Sequence, residues 1–174
     1  MERPLLFLDV DGPLIPFGAS PTHPETSGSG SDPVSEALPD GGNPLLRRLD
    51  PTVGPRLMAL GCDLVWATTW MEEANASVGP VIGLPRLPVV EWPEATEAGP
   101  RGLHWKTRPI VEWAEGRPFI WVDDEIGAMD RLWVAAQHES PCLLHHVSPS
   151  KGLTDTDFAT LTNWLHTNRF RPGA

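Results

Sequence analysis

The 174-residue sequence predicts an α/β fold of three layers, with helices packed on a mostly parallel central sheet. Three observations predict it. Short apolar runs without alternation, such as Leu5-Leu6-Phe7-Leu8, Leu64-Val65-Trp66-Ala67 and Phe119-Ile120-Trp121-Val122, read as strands covered on both faces. Segments of helical character stand between them. Polar residues end three of the runs, and in such sheets ligands gather at the carboxyl ends of the strands.

Each element follows from local chemistry. Residues 5–10 form the first strand, an apolar run broken by one carboxylate. From Phe17 to Pro44 no periodicity survives: the 28 residues hold five Gly, five Ser and five Pro. Loops beyond roughly 15 residues in a compact domain are functional or disordered. The 17–44 stretch is therefore read as a flap over the site, with a plain insertion as the alternative. A short segment at 45–49 precedes a helix from near Pro55 that ends before Gly61. Residues 62–67 make the second strand, which runs into Thr68-Thr69-Trp70. A helix over 71–78 follows, closed by Gly79-Pro80, and Leu87 to Val90 reads as a short strand.

Trp92 to Gly102 is loop. Lys106 to Glu115 reads as a helix with Pro109 in its first turn, where a missing N–H is tolerated. Residues 119–122 are the third strand, running into Asp123-Asp124, and Ile126 to Ala136 is helical. Residues 142–147 are the fourth strand. Thr154, with Asp157 three residues on, caps a last helix that reaches about His166.

Composition narrows the function classes. Thirteen Lys and Arg stand against 23 Asp and Glu, a net charge of −10, which argues against extended nucleic-acid binding. The length fits one domain spanning 1–174. No apolar run approaches the roughly 18 residues of a membrane span. The Met1-Glu2-Arg3-Pro4 start runs into Leu5-Leu6-Phe7-Leu8-Asp9, too short and too acidic for a secretory leader, and Cys62 and Cys142 lack metal-pair spacing. A reduced, cytoplasmic protein with no membrane partner is the expectation. Only two lysines occur, Lys106 and Lys151.

The strand ends carry Asp9 and Asp11, then Thr68 and Thr69, then Asp123 and Asp124, with Lys106 at a helix start between the last two sets. Taken singly, each has a plain account as a turn, a cap or a solvated side chain. Together they gather up to four carboxylates at one sheet edge, where they repel and are costly to bury unpaired. A divalent cation with oxygen ligands and a fixed ammonium would resolve this, and magnesium suits such a site.

Asp9-Val10-Asp11-Gly12, Thr68, Lys106 and Asp123-Asp124 resemble, in order, the four motifs of the haloacid dehalogenase (HAD) superfamily of phosphatases. The closer similarity is to the HAD domain of Swiss Army Knife RNA repair proteins. It is carried by Leu8-Asp9-Val10-Asp11-Gly12-Pro13-Leu14, Val65-Trp66-Ala67-Thr68-Thr69-Trp70, Leu103-His104-Trp105-Lys106-Thr107 and Trp121-Val122-Asp123-Asp124-Glu125. The resemblance implies a Rossmann-like, HAD-like fold without a full cap domain. It implies a magnesium-dependent phosphomonoesterase that forms an aspartyl-phosphate. Asp9 would be the nucleophile, and Asp11 would protonate the leaving oxygen and then activate water. Thr68 would bond the phosphoryl oxygens, and Lys106 would neutralise charge. Asp123 and Asp124 would hold Mg2+ with Asp9 and the backbone carbonyl of Asp11. An acid at position 11 favours phosphoryl transfer over dehalogenation. Pro13 departs from the usual Thr or Val, and Asp130, the nearest carboxylate past Glu125, has an open role.

Gaps between the motifs hold no full cap, which suits a large substrate or a second copy covering the site. Gly12, Thr69, Trp70 and Arg108 are the candidate substrate contacts, Trp70 as a wall. His104 and Arg108 flank Lys106 and could touch phosphate or a leaving group, with a helix cap and a solvated arginine as the alternative readings. Trp66, Trp105, Trp113, Trp121, Trp133 and Trp164 are read as core, and His145-His146 as structural. The phosphorylated substrate is expected to be a nucleotide or a nucleic-acid terminal phosphate. A small phosphorylated metabolite is the alternative, and a non-catalytic phosphate sensor is the alternative of another class.

Overall fold

A computed structural model describes residues 3–17, 43–93 and 101–168. Residues 18–42 of the expected flap and 94–100 of the expected loop lie outside the described residues. Four parallel strands form one sheet in the order β2-β1-β3-β4: β1 Leu5–Leu8, β2 Asp63–Trp66, β3 Phe119–Asp123 and β4 Cys142–His146. Register pairs Leu8 with both Trp66 and Val122, and Asp123 with His146, so the strand ends share one edge.

Two layers of helix explain why the strands read as unbroken apolar runs. On one face, Leu6, Leu8, Trp66, Ile120 and Val122 pack against α1 (Val53–Ala59), α2 (Gly79–Ile82) and α5 (Asp155–Thr167) through Leu57, Ile82 and Leu161. On the other, Leu5, Phe7, Phe119 and Trp121 pack against α3 (Thr107–Ala114) and α4 (Ala128–Gln137) through Ile110 and Val134. Neither face of the sheet centre meets water, so neither face needs polar residues. The α/β, Rossmann-like expectation is met.

Three local expectations are corrected. Gly79-Pro80 does not close the helix over 71–78. A π-turn at Ala74–Val78 leads straight into α2, which ends at Gly83 with φ 76. Proline is tolerated in a first helical turn, and here Pro80 lies in the first turn of α2. The expected strand over 87–90 shrinks to one bridge, Trp66 to Val89, because Pro85 and Pro88 have no N–H to donate to a ladder. Trp105, read as core, is 39% exposed. The Thr154 cap is as read: its hydroxyl accepts from Asp157 N, while Asp157 accepts from Thr154 N at 2.8 Å.

Candidate active site

β1 delivers Asp9 to the carboxyl edge, and the Asp9 amide still bonds the Val122 carbonyl at 3.1 Å. That last rung fixes the Asp9 backbone between two strands. Its carboxylate is buried: Oδ1 accepts from Val10 N at 2.8 Å and Oδ2 from Lys106 Nζ at 2.7 Å. Lys106 arrives from the N-terminus of α3 and is 2% exposed. It also donates to Asp123 Oδ2 at 2.9 Å. Trp121 Nε1 donates to that same oxygen at 3.3 Å, and Glu125 N donates to Asp123 Oδ1 at 2.9 Å.

One ammonium thus serves two buried carboxylates, and negative charge is in surplus. Burial pushes Asp9 up to about 7, opposed by Lys106 and helped by the charge of Asp123. Burial works against the Lys106 ammonium, yet Asp9 and Asp123 together hold it above its ordinary value. Two carboxylates within hydrogen-bonding distance favour the ammonium, so Lys106 is the cation of the cluster. Asp124 is raised too, first by burial and then by the charge of Asp123.

Asp9, Asp123 and Asp124 each bring one oxygen to within 4.8 Å of the others, and among the described residues they form the one such group. All its donors are carboxylate oxygens, the set a hard divalent cation takes. The residues present therefore fit magnesium. The Asp11 carboxylate is not in that group. Gly12, at φ 83, turns the chain so closely against Asp124 that its missing Cβ makes room for that carboxyl. Pro13 leaves the turn intact, and its carbonyl accepts from Leu153 N at 2.9 Å.

The second strand end is equally ordered. Thr68 is fully buried, its hydroxyl accepting from Trp70 N at 3.3 Å and its carbonyl from Trp92 Nε1 at 3.0 Å. Thr69 is exposed. Trp70, expected as a substrate wall, donates its indole N–H to Asp11 Oδ2 at 3.0 Å. Arg108 places its guanidinium over the Trp133 ring of α4, 5.9 Å from its centre.

Two residues that sequence reasoning left open or undervalued tie the site together. Asp130, 1% exposed, accepts from His104 N at 2.8 Å, Thr107 Oγ1 at 2.6 Å and Gly127 N at 2.7 Å. It bolts the segment carrying Lys106 to the start of α4. His104 accepts the Lys106 amide on Nδ1 at 3.2 Å, so its Nε2 carries the proton donated to Glu125 Oε2 at 3.0 Å. The bonds run in a closed ring, from Lys106 to His104, Glu125, Asp123 and back. His145 bonds Asp157 at 2.8 Å and is structural, as expected.

A buried carboxylate held by a lysine, a neighbouring acid bonded by Trp70, a threonine and a three-oxygen cation site can attack, protonate and neutralise a phosphoryl group. Comparison with curated proteins and with solved structures found no match. A family model described as "HAD domain in Swiss Army Knife RNA repair proteins" matches residues 5–158, a span that contains every side chain of this site. The chain belongs to that family of HAD domains.

Proposed function

We propose that the protein is a magnesium-dependent phosphomonoesterase that works through an aspartyl-phosphate on Asp9. Membership of the HAD family supports a phosphatase-type hydrolase in general terms. The observation that carries the finer reading is the bond from Lys106 to both Asp9 and Asp123 at the edge of a three-carboxylate cluster.

Asp9 attacks phosphorus, the bond to the ester oxygen breaks, and that oxygen takes a proton from Asp11. A water then attacks phosphorus and gives its proton to Asp11. The bond to Asp9 breaks, which releases inorganic phosphate and restores the carboxylate. Thr68 bonds the phosphoryl oxygens, and Lys106 offsets charge on Asp9 and on the phosphate. Asp9, Asp123 and Asp124, with the Asp11 carbonyl, would hold magnesium, which would supply the positive charge that the transferring phosphoryl group needs.

The preferred substrate class is a nucleotide or a nucleic-acid terminal phosphate. Trp105 supports this as a partly exposed aromatic side chain whose ring centre lies 5.7 Å from Lys106 Nζ, since bases stack on such rings. A net charge of −10 weighs against long polynucleotides. Among the described residues no helix is long and apolar enough to cross a membrane, and both cysteines are free, which supports a reducing, cytoplasmic setting.

The test is hydrolysis of 4-nitrophenyl phosphate with and without magnesium, beside Asp9→Asn. Magnesium-dependent turnover lost in the variant is expected. Equal turnover in both, or none in wild type, sinks the reading. A panel of mononucleotides, end-phosphorylated oligonucleotides and sugar phosphates then assigns the class, and a preference for sugar phosphates would favour the metabolite reading.

A further inference from the structure

We propose that Trp70 is a positioning residue for the acid-base group. Its indole N–H holds Asp11 Oδ2 and so reserves Oδ1 for the proton that moves. The inference deepens the phosphatase reading and rests on it.

Asp11 sits past the end of β1, in the turn that Gly12 makes, where an isolated bridge to Ile15 takes the place of a strand ladder. Its carboxylate is bonded by Trp70 Nε1 at 3.0 Å, across 59 residues of chain. β1 and β2 are neighbours with Leu8 paired to Trp66, so residues 11 and 70 leave adjacent strands at the same edge. Trp70 is itself held. Its amide bonds Thr68 Oγ1 at 3.3 Å, and the Thr68 carbonyl is bonded by Trp92 Nε1 at 3.0 Å. The next residue, Met71, takes φ 50, a left-handed conformation that a residue with a side chain adopts only when its surroundings impose it. The backbone thus turns back directly after Trp70.

An indole nitrogen can only donate. The oxygen facing it must therefore be the one without a proton, both when Asp11 is ionised and when it is neutral. In the first step Oδ1 gives its proton to the leaving oxygen, and in the second it takes one from the attacking water. Oδ2 stays bonded to Trp70 throughout. The ring is half-buried.

The test uses Trp70→Phe, which keeps the aromatic ring and removes the donor, and compares two leaving groups. Nitrophenolate departs without a proton, whereas an alkoxide needs one. With 4-nitrophenyl phosphate, Trp70→Phe is expected to give a stoichiometric burst followed by slow turnover, with phosphoenzyme accumulating in acid-quenched samples. With a simple alkyl phosphate, kcat should fall about tenfold to a hundredfold, a fraction of a general acid's full effect. Trp70→His, which restores a ring donor, should recover part of the loss, and Trp70→Phe should add little to Asp11→Asn. Should Trp70→Phe melt early, Trp70→His and the alkyl-to-aryl rate ratio still decide. If wild type forms phosphoenzyme while Trp70→Phe loses both substrates equally, or matches wild type, the inference alone is overturned. If wild type forms none, the phosphatase reading falls and the inference falls with it.

Discussion

A β-carbon on Gly12 would stand 2.5 Å from Asp124 Cγ. The turn after the first strand and the acidic pair after the third are therefore pressed together, and only the smallest residue admits the contact. Gly12→Ala combines a left-handed φ of 83 with this clash. The conformation alone costs roughly 1–2 kcal/mol. The displaced Asp124 should raise the magnesium concentration for half-maximal activity about tenfold, as loss of a ligand's support does elsewhere. Calorimetric magnesium titration checks this, and unchanged affinity would separate Asp124 from the metal.

Asp130 supports Lys106 from a distance. Asp130→Ala leaves three donors without their acceptor, those of His104, Thr107 and Gly127. A loss of about 3 kcal/mol in urea denaturation is expected, since each orphaned buried donor costs on the order of 1 kcal/mol or more. Turnover should fall while magnesium affinity holds, because the Asp9, Asp123 and Asp124 oxygens do not include Asp130. A parallel loss of magnesium affinity would make Asp130 a ligand.

On the proposed reading, metal and proton would compete for one cluster. Burial pushes Asp9 from 3.8 up to about 7, so the metal-free folded state binds more protons than the unfolded chain across that window. Its stability should then decline as pH rises from about 4 to about 7. Magnesium reverses the surplus, so the rise in Tm on adding it should be small near pH 5 and larger near pH 7. Asp9→Asn should flatten the metal-free slope. Thermal melts with and without magnesium decide, and an equal rise at both pH values would contradict the cluster's electrostatics.

Asp157 works in the opposite sense. Although burial alone would raise it, the Thr154 hydroxyl and amide and His145 hold it below its ordinary 3.8. Its contribution to stability is present above that value and is lost as pH falls through the lower folded one. Asp157→Asn should cost about 1 kcal/mol at pH 7, in line with loss of a helix cap, and should weaken the acid limb below about pH 4. Urea titrations at pH 7 and pH 3 measure both.

Much of the site was legible because its signals are local. Asp9, Thr68 and Asp123 end or follow apolar runs buried on both faces, and their strands register at one edge. The scarcity of lysine singled out Lys106, which the structure brings to Asp9. What stayed hidden depends on which strands neighbour each other. Trp70 and Asp11 lie 59 residues apart, and Thr107 and Asp130 lie 23 apart, so no short window contains either bond. Trp105 shares the composition of a core tryptophan, but it packs edge-on to Trp92 at 4.9 Å and stays partly in water. Gly79-Pro80 failed as a stop signal because the π-turn lets the proline open a new helix.

The most direct test of the account is to mix the protein with magnesium and a phosphomonoester, quench in acid, and locate the phosphate by mass spectrometry. The account predicts one phosphate per chain, on the peptide that carries Asp9, removable by hydroxylamine and absent from Asp9→Asn. Magnesium-dependent turnover with no phosphate on Asp9, or with the phosphate on another residue, would contradict it.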